Sequence, residues 1–513
     1  MTKTVDYGTT HSATGGASIS PPSGTPSVTY NQTTTSDPLS GSSVVSTAAA
    51  HIGLNASGTC AGTSGTVCAI TSPNAPSVTI PSGSAVSFTK TSVTGLPSGC
   101  SDTYDSTNKI YTVSCTGAGP FNFGTITVNK VTAVIQTSSG GTYNFANGLP
   151  SGVTLSGSGG TYGFGAGLTT SGTTSYPDGN YNIVGSITTG GGATTTFGAG
   201  TYNVTGMITM GGGSTTTFGA GTFNVGTGSC SGTSGYSICN TGTSLTFTGP
   251  DTFNLAGGVY NGGGAALALG SGSSANSYNI GKASDGYSLN AGTSKIMTLG
   301  DATSAGDIFQ TAGTIASGGG SCLTIPAATA HDINGSLNTA GGIVLGAGVY
   351  TVYGYVAVGN GGGGDVSNCP TTGTTTGLTA LNVTLVIGGT STVTCGSTTS
   401  AVCFGAGYST VDLTAPSSGT TANLAVIGPQ TSTNTAAAAF TTGATNTRIS
   451  GAFYFPHGAI TMSGAAALHD TVDLGACLEL IGSQVTLGGG SAAGSACTGL
   501  GGSGSGTSVS LVQ

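Results

Sequence analysis

The chain has 513 residues with 96 glycines, no tryptophan, 7 Lys+Arg and 15 Asp+Glu, giving a net charge of −8. At 4% charged and 36% hydrophobic residues it is neither an ordinary globular surface, which is ~25% charged, nor a disordered chain, which needs low hydrophobicity and high charge. Glycine lacks the every-third spacing of collagen, and no basic face exists to bind nucleic acid. What remains is a neutral Gly/Thr/Ser/Ala-rich chain stabilised by backbone pairing and stacking.

Residues 1–135 hold most of the positive charge (Lys3, Lys90, Lys109, Lys130) and lack any internal repeat. The start, Met1-Thr2-Lys3-Thr4-Val5, has no apolar core of a signal peptide, so export would use a leader outside this sequence. Strand-like alternation occurs at Ser77–Ile80 and Thr125–Val128, with Pro81 and Pro97 in the intervening loops. The region reads as a β-rich cap or a small separate β-domain, because a solenoid needs its open edges covered.

Residues 136–360 carry the clearest signal. Asn180–Gly200, NYNIVGSITTGGGATTTFGAG, aligns without a gap on Thr201–Gly221, TYNVTGMITMGGGSTTTFGAG, with 15 of 21 positions identical. A third copy begins at Thr222-Phe223-Asn224-Val225, is interrupted between Cys230 and Cys239, and resumes at Thr252-Phe253-Asn254-Leu255. A fixed period near 20 residues points to a solenoid. Gly, Thr and aromatic residues suit strands and corners rather than helices. Tyr202 and Val204 lie two apart and therefore share one face of a strand, while the triple glycines and FGAG segments supply bends. The expected fold is all-β, a parallel β-helix of about 21 residues per rung with three strands and three bends in each. Stacked rungs would place Asn182, Asn203 and Asn224 over one another, and Thr194–Thr196 over Thr215–Thr217. These rows read as ladders that register the coil, because both drift in sequence after two or three rungs; an ice- or glycan-binding face is the other reading.

Residues 361–513 contain, in order, NVTLVIGG (Asn382–Gly389), STVDLTAPSSGTTANLAVIG (Ser409–Gly428), RISGAFYFPHGAITMSG (Arg448–Gly464), CLELIGSQVTLGG from Cys477, Cys497, and a terminal SVSLVQ. This series resembles the C-terminal region of TadE/TadG-like proteins of the tight-adherence (Flp) pilus assembly system. In that family a YFP motif, a cysteine pair about twenty residues apart and a terminal V-x-L-V-E accompany β-helix-like repeats. The FGAGTYNV units look like its repeats, and Val5-Asp6-Tyr7-Gly8 is similar to the segment after its N-terminal membrane helix. Two departures stand out: the chain ends in Gln513, and no membrane helix precedes Val5. The resemblance implies a role in pilus assembly or adhesion, here in a released or assembled extracellular form.

Twelve cysteines fall into neighbours: Cys60 and Cys68, Cys100 and Cys115, Cys230 and Cys239, Cys395 and Cys403, Cys477 and Cys497, with Cys322 and Cys369 the longest-spaced couple. Connectivity is not deducible from spacing, but Gly/Ser/Thr-rich loops between such couples suit disulfide staples in an extracellular or cell-surface protein. No CxxC or His/Cys cluster suggests a metal, no apolar run approaches the ~20 residues of a membrane span, and no cofactor motif is present.

Catalysis on polysaccharide would need clustered carboxylates, and none recur at matching positions of successive rungs. His331-Asp332 and His469-Asp470 (with Asp473) are the best catalytic candidates, yet neighbours on a strand point to opposite faces. Arg448, Lys282 and Lys295 are isolated cations, Gly361–Asp365 reads as a Gly-rich turn with one candidate calcium ligand, and Asp178-Gly179 and Asp285-Gly286 read as turns. The sequence therefore points to a non-enzymatic, extracellular β-solenoid of a cell-surface fibre, appendage or pilus-associated adhesion apparatus. Its expected partners are copies of itself or other surface-structure subunits, and surface glycans. The alternative is a β-helix that binds or cleaves polysaccharide, with Tyr353 and Tyr355 stacking on sugars or buried in the rungs.

Overall fold

The structure, a computed structural model, describes residues 3–6, 13–14, 18–19, 26–29, 37, 39–46, 72–262, 265–272, 275–293, 295–301, 306–360, 364–366, 369, 376–388, 391–430, 435–441, 446–463, 467–468, 478–488, 492–493 and 509–510. It is an all-β parallel coil. One complete rung shows its plan: a first strand Gly179–Ile183, a second Ile187–Thr189 and a third Thr194–Phe197. The next rung repeats it as Gly200–Val204, Ile208–Met210 and Thr215–Phe218, paired in parallel and in register with the one before. Period-2 alternation sends Tyr181, Ile183, Tyr202 and Val204 inward, and Asn182 and Asn203 outward.

Two compact units are present, one of residues 72–290 with 297–300, the other of 1–71, 291–296 and 301–513. In the first unit the interior is a pair of aromatic stacks. Tyr181, Tyr202, Phe223, Phe253 and Tyr278 follow one another on the first strands, with centroids 4.7, 5.0, 5.4 and 5.4 Å apart. Phe197, Phe218 and Phe247 stack on the third strands at 4.5 and 4.7 Å. The two stacks meet edge to face, as at Tyr202–Phe218, where the rings are 88° apart. This is the geometry that the ring quadrupole favours. Each tyrosine needs an acceptor in that dry interior; Tyr181 and Tyr202 donate to the carbonyls of Pro177 and Gly198 at the preceding corner. Inward threonines satisfy each other across the core, Thr170 with Thr195 (2.8 Å) and Thr189 with Thr216 (3.0 Å).

The 21-residue spacing holds for Gly179, Gly200 and Gly221. At Gly200 (φ +156°) a Cβ would overlap the Gly179 carbonyl, so the FGAG corner admits no side chain there. Elsewhere corner insertions stretch or shorten the rung. Tyr162 pairs with Tyr181, 19 residues on, and Thr222 with Thr252, 30 residues on. Rungs continue on both sides of residue 135: Phe121–Val128 pairs with Thr142–Phe145, and Thr132–Thr137 with Val153–Gly157. The outermost strand of that third-face sheet is Cys100–Asp105, antiparallel to Ile110–Cys115. Ser77–Ile80, expected as a strand, has no sheet partner. Flanked by Pro76 and Pro81, residues 72–83 instead lie along the outside of the coil, the Ser72 hydroxyl accepting the Lys282 N–H (3.2 Å). Ile80 occupies the space a side chain at position 163 would need: a Cβ on Gly163 would be 2.7 Å from its Cδ1.

The second unit follows the same plan. Its first strands include Ala328–Ile333, Gly348–Val352, Val383–Ile387 and Leu424–Ile427. The coil runs on across residue 360, where Gly342–Leu345 pairs with Leu378–Leu381 and Val356–Val358 with Thr398–Phe404. Asn446–Met462 turns two corners without a break, pairing with third, first and second strands in succession. Tyr454-Phe455-Pro456 lies at its first-to-second corner.

Candidate functional site

Four disulfides occur among the described residues. Cys100–Cys115 closes the mouth of the antiparallel hairpin. Cys230–Cys239 and Cys395–Cys403 close two further hairpins that leave the coil at the same place, between a first and a second strand. Each folds back on the outer wall: Met207 and Tyr260 pack on the first, Tyr355 and Val393 on the second. Cys322–Cys369 pins the excursion after Val358 to a third strand, with Val344 and Val366 packed beside it. Every bond thus marks a point where the rung is interrupted, and each encloses only 8 to 47 residues of separation. Cys60, Cys68, Cys477 and Cys497 lie outside the described residues.

The structure separates His331 from Asp332, as alternation requires. His331 points into the core, fully buried, its ring stacked on Tyr350 at 3.7 Å and its Nε2 2.7 Å from the Pro326 carbonyl. Burial pushes its pKa down to about 4, so it is a neutral member of the aromatic stack. Asp332 points outward and accepts a hydrogen bond from the Thr351 hydroxyl (2.9 Å). His469, Asp470 and Asp473 lie outside the described residues, as do Gly361–Gly363. Asp365 accepts from the Ser409 N–H (2.9 Å) and hydroxyl (2.5 Å), which makes it a corner cap. Arg448 stands opposite Asp412 in strand register. Asp178 caps another corner through the Ala199 N–H (2.8 Å), and Asp285 accepts from the Tyr236 hydroxyl (2.8 Å) beside the Cys230–Cys239 hairpin. Asp251 occupies the corner-glycine position after Gly221. It is buried, takes the Gly221 N–H at 2.8 Å, and desolvation raises its pKa to about 6.

Outward surfaces are built from rows rather than a pocket. On the first face of unit 72–290 the amides form a chain: Asn203 donates to Asn182 (2.9 Å), Asn224 to Asn203 (2.8 Å) and Asn254 to Asn224 (2.8 Å). On the third face Thr194 over Thr215 and Thr196 over Thr217 give two parallel hydroxyl rows. In the other unit the first-face row turns apolar, Val386, Ile427, Tyr454 and Ile481 standing in register. A short segment covers that stripe: Leu39, Val44 and Val45 (4% exposed) pack on it, and the Tyr454 hydroxyl donates to Asp37 (2.7 Å). Sequence reading missed this contact because a single valine pair 417 residues from its partner leaves no periodic trace. Tyr353 and Tyr355 are each half-buried, the first beside this segment and the second under the Cys395–Cys403 hairpin. Tyr104, by contrast, is 36% exposed and stacks on Tyr111 at 4.4 Å, with Asp105 and Asn108 hydrogen-bonded nearby.

No group of three or more His, Cys, Asp or Glu that could hold a metal ion occurs among the described residues, and none of the described helices is long and apolar enough to cross a membrane. Set against protein-family models, curated proteins and solved structures, the chain matches none.

Proposed function

We propose that this chain is a non-enzymatic structural protein of the cell exterior, a subunit of a surface appendage, fibre or pilus-associated adhesion apparatus that self-associates. The observation that carries this reading is the outer wall: in-register amide and hydroxyl rows, neutral along their length, interrupted only where a disulfide staples the excursion. Neutral rows let copies lie side by side without charge repulsion, and disulfides persist in oxidising, extracellular surroundings. The resemblance of the C-terminal segments to TadE/TadG-like proteins agrees with this role. Electron microscopy of native purified material tests it. Ordered filaments or lateral bundles are expected; discrete monomers that cleave a glycan would overturn it.

A second reading, binding of surface glycan, is favoured by one feature. Tyr104 offers an exposed ring, backed by Tyr111 and flanked by Asp105 and Asn108, the combination of aromatic platform and polar rim that holds a sugar. Tyr104→Ala abolishing retention on a polysaccharide column would support it.

A further inference from the structure

The apolar row Val386, Ile427, Tyr454 and Ile481 is unlike the other outer rows, which are amide or hydroxyl. It is covered by a small self-contained knob. Within the knob, Ser40 N–H bonds the Asp37 carbonyl (3.2 Å), Ser42 N–H bonds Leu39 (2.9 Å), and one helical turn at 43–46 closes with Ser46 N–H on Ser42 (3.1 Å). The Asp37 carboxylate caps the first turn through the Leu39 N–H (2.9 Å). Among the described residues, all backbone hydrogen bonds of this segment are to itself, and it adds no strand to the coil. Its attachment consists of side chains alone: Leu39, Val44 and Val45 on the stripe, and Asp37 on the Tyr454 hydroxyl.

A knob that folds on its own and docks by side chains loses nothing internal when it leaves. The 25 residues from 47 to 71 that follow it span at most ~80–90 Å when extended, long enough to reach a stripe on an adjacent molecule. The stripe is already shaped to this knob, so the occupant that fits it in trans is the same knob of a second copy, the arrangement of a domain swap.

We propose that copies of this protein link by exchanging residues 37–46, each knob seating on the Val386–Ile427–Tyr454–Ile481 stripe of its neighbour; this deepens, and rests on, the self-associating reading above. Edge-to-edge stacking is opposed at the Cys100–Asp105 strand, where Asp102 and Asp105 are exposed on the outermost strand and charged edges block pairing. Exchange needs no open edge. It competes with an intramolecular contact whose effective concentration is on the order of millimolar, so copies stay separate when dilute and link when crowded.

The test uses full-length protein and a fluorescent synthetic peptide spanning residues 36–47. In Val45→Asp the resident knob is disabled and the stripe left open. The peptide should bind this variant saturably, at least tenfold more tightly than it binds wild type, and a peptide carrying the same Val45→Asp change should not bind. Leu39→Ser replaces Val45→Asp if the latter lacks the wild-type circular dichroism spectrum. A natively folded variant that shows no saturable peptide binding up to millimolar concentration overturns the exchange. Filaments formed by Val45→Asp as readily as by wild type would also sink it while leaving self-association itself standing; wild type without filaments but with peptide capture by Val45→Asp would do the reverse.

Discussion

Phe218→Ala is the sharpest probe of how the coil is held together. Phe218 is fully buried and touches four rings: Phe197 and Phe247 stacked at 4.5 and 4.7 Å, Tyr202 and Phe223 edge-on at 5.4 and 5.7 Å. Truncating a buried Phe to Ala costs about 3–5 kcal/mol through lost transfer energy and the cavity left behind. Each aromatic pair adds ~0.5–1.5 kcal/mol beyond area, and pairs sharing one ring do not sum fully. We therefore expect a loss of about 5 kcal/mol for Phe218→Ala and about 2 kcal/mol for Phe218→Leu, which keeps most of the volume but no ring. Urea unfolding followed by tyrosine emission gives the total; the chain has no tryptophan to obscure it. Hydrogen exchange gives the location. Because a solenoid couples chiefly neighbouring repeats, protection should fall most in Gly200–Val204, Thr215–Phe218, Gly221–Val225 and Ser244–Thr248, and least in Thr142–Phe145. If Leu costs as much as Ala, the ring geometry contributes nothing. A loss below ~1 kcal/mol for Ala would refute the continuous aromatic core.

Three further outcomes are expected. Asp251, with its pKa raised from 3.8 to about 6, binds its proton more tightly when folded, so its contribution is complete below pH ~4 and declines by up to about 3 kcal/mol as pH rises through 6; Asp251→Asn should flatten that slope in urea midpoints taken from pH 4 to 7. His331, lowered from 6.5 to about 4, has the opposite sign: the unfolded chain takes the proton first, so stability present above pH 6.5 is lost as pH falls towards 4, and exchange protection of Ala328–Ile333 should report it, with His331→Phe removing the acid sensitivity. Replacing Cys395 and Cys403 together by serine should cost about 2–3 kcal/mol, the entropy of a loop this short; an unchanged urea midpoint would show that the hairpin is held by packing on Tyr355 alone.

The coil was legible where side chains repeat and opaque where the chain departs from the period. Tyr202, Asn203 and the FGAG corner each impose a local requirement, an inward ring, an outward amide and a glycine without a Cβ, and the same requirement recurs one rung on. That made the three-strand rung and the Asn182–Asn203–Asn224 ladder readable. Three things were not. Residues 77–80 alternate like a strand, but their alternation seats Val78 and Ile80 against the outside of the coil, because prolines on either side remove ladder donors. His331-Asp332 looks like chemistry in one dimension; stacking on Tyr350 turns the imidazole into a core ring. The cover over Tyr454 depends on a contact 417 residues long in sequence, for which no pattern in either segment prepares.

The placement of the disulfides also sets how the protein yields to tension. Each joins residues within one excursion, and none of the four ties one unit to the other. A pulled coil therefore peels rung by rung, a 21-residue rung releasing ~70 Å of contour. The Cys322–Cys369 bond withholds its 47 residues, about 160 Å of slack, until a reductant frees them. Under oxidising conditions the chain would be a stiff, short tether; reduced, it becomes a longer and more compliant one.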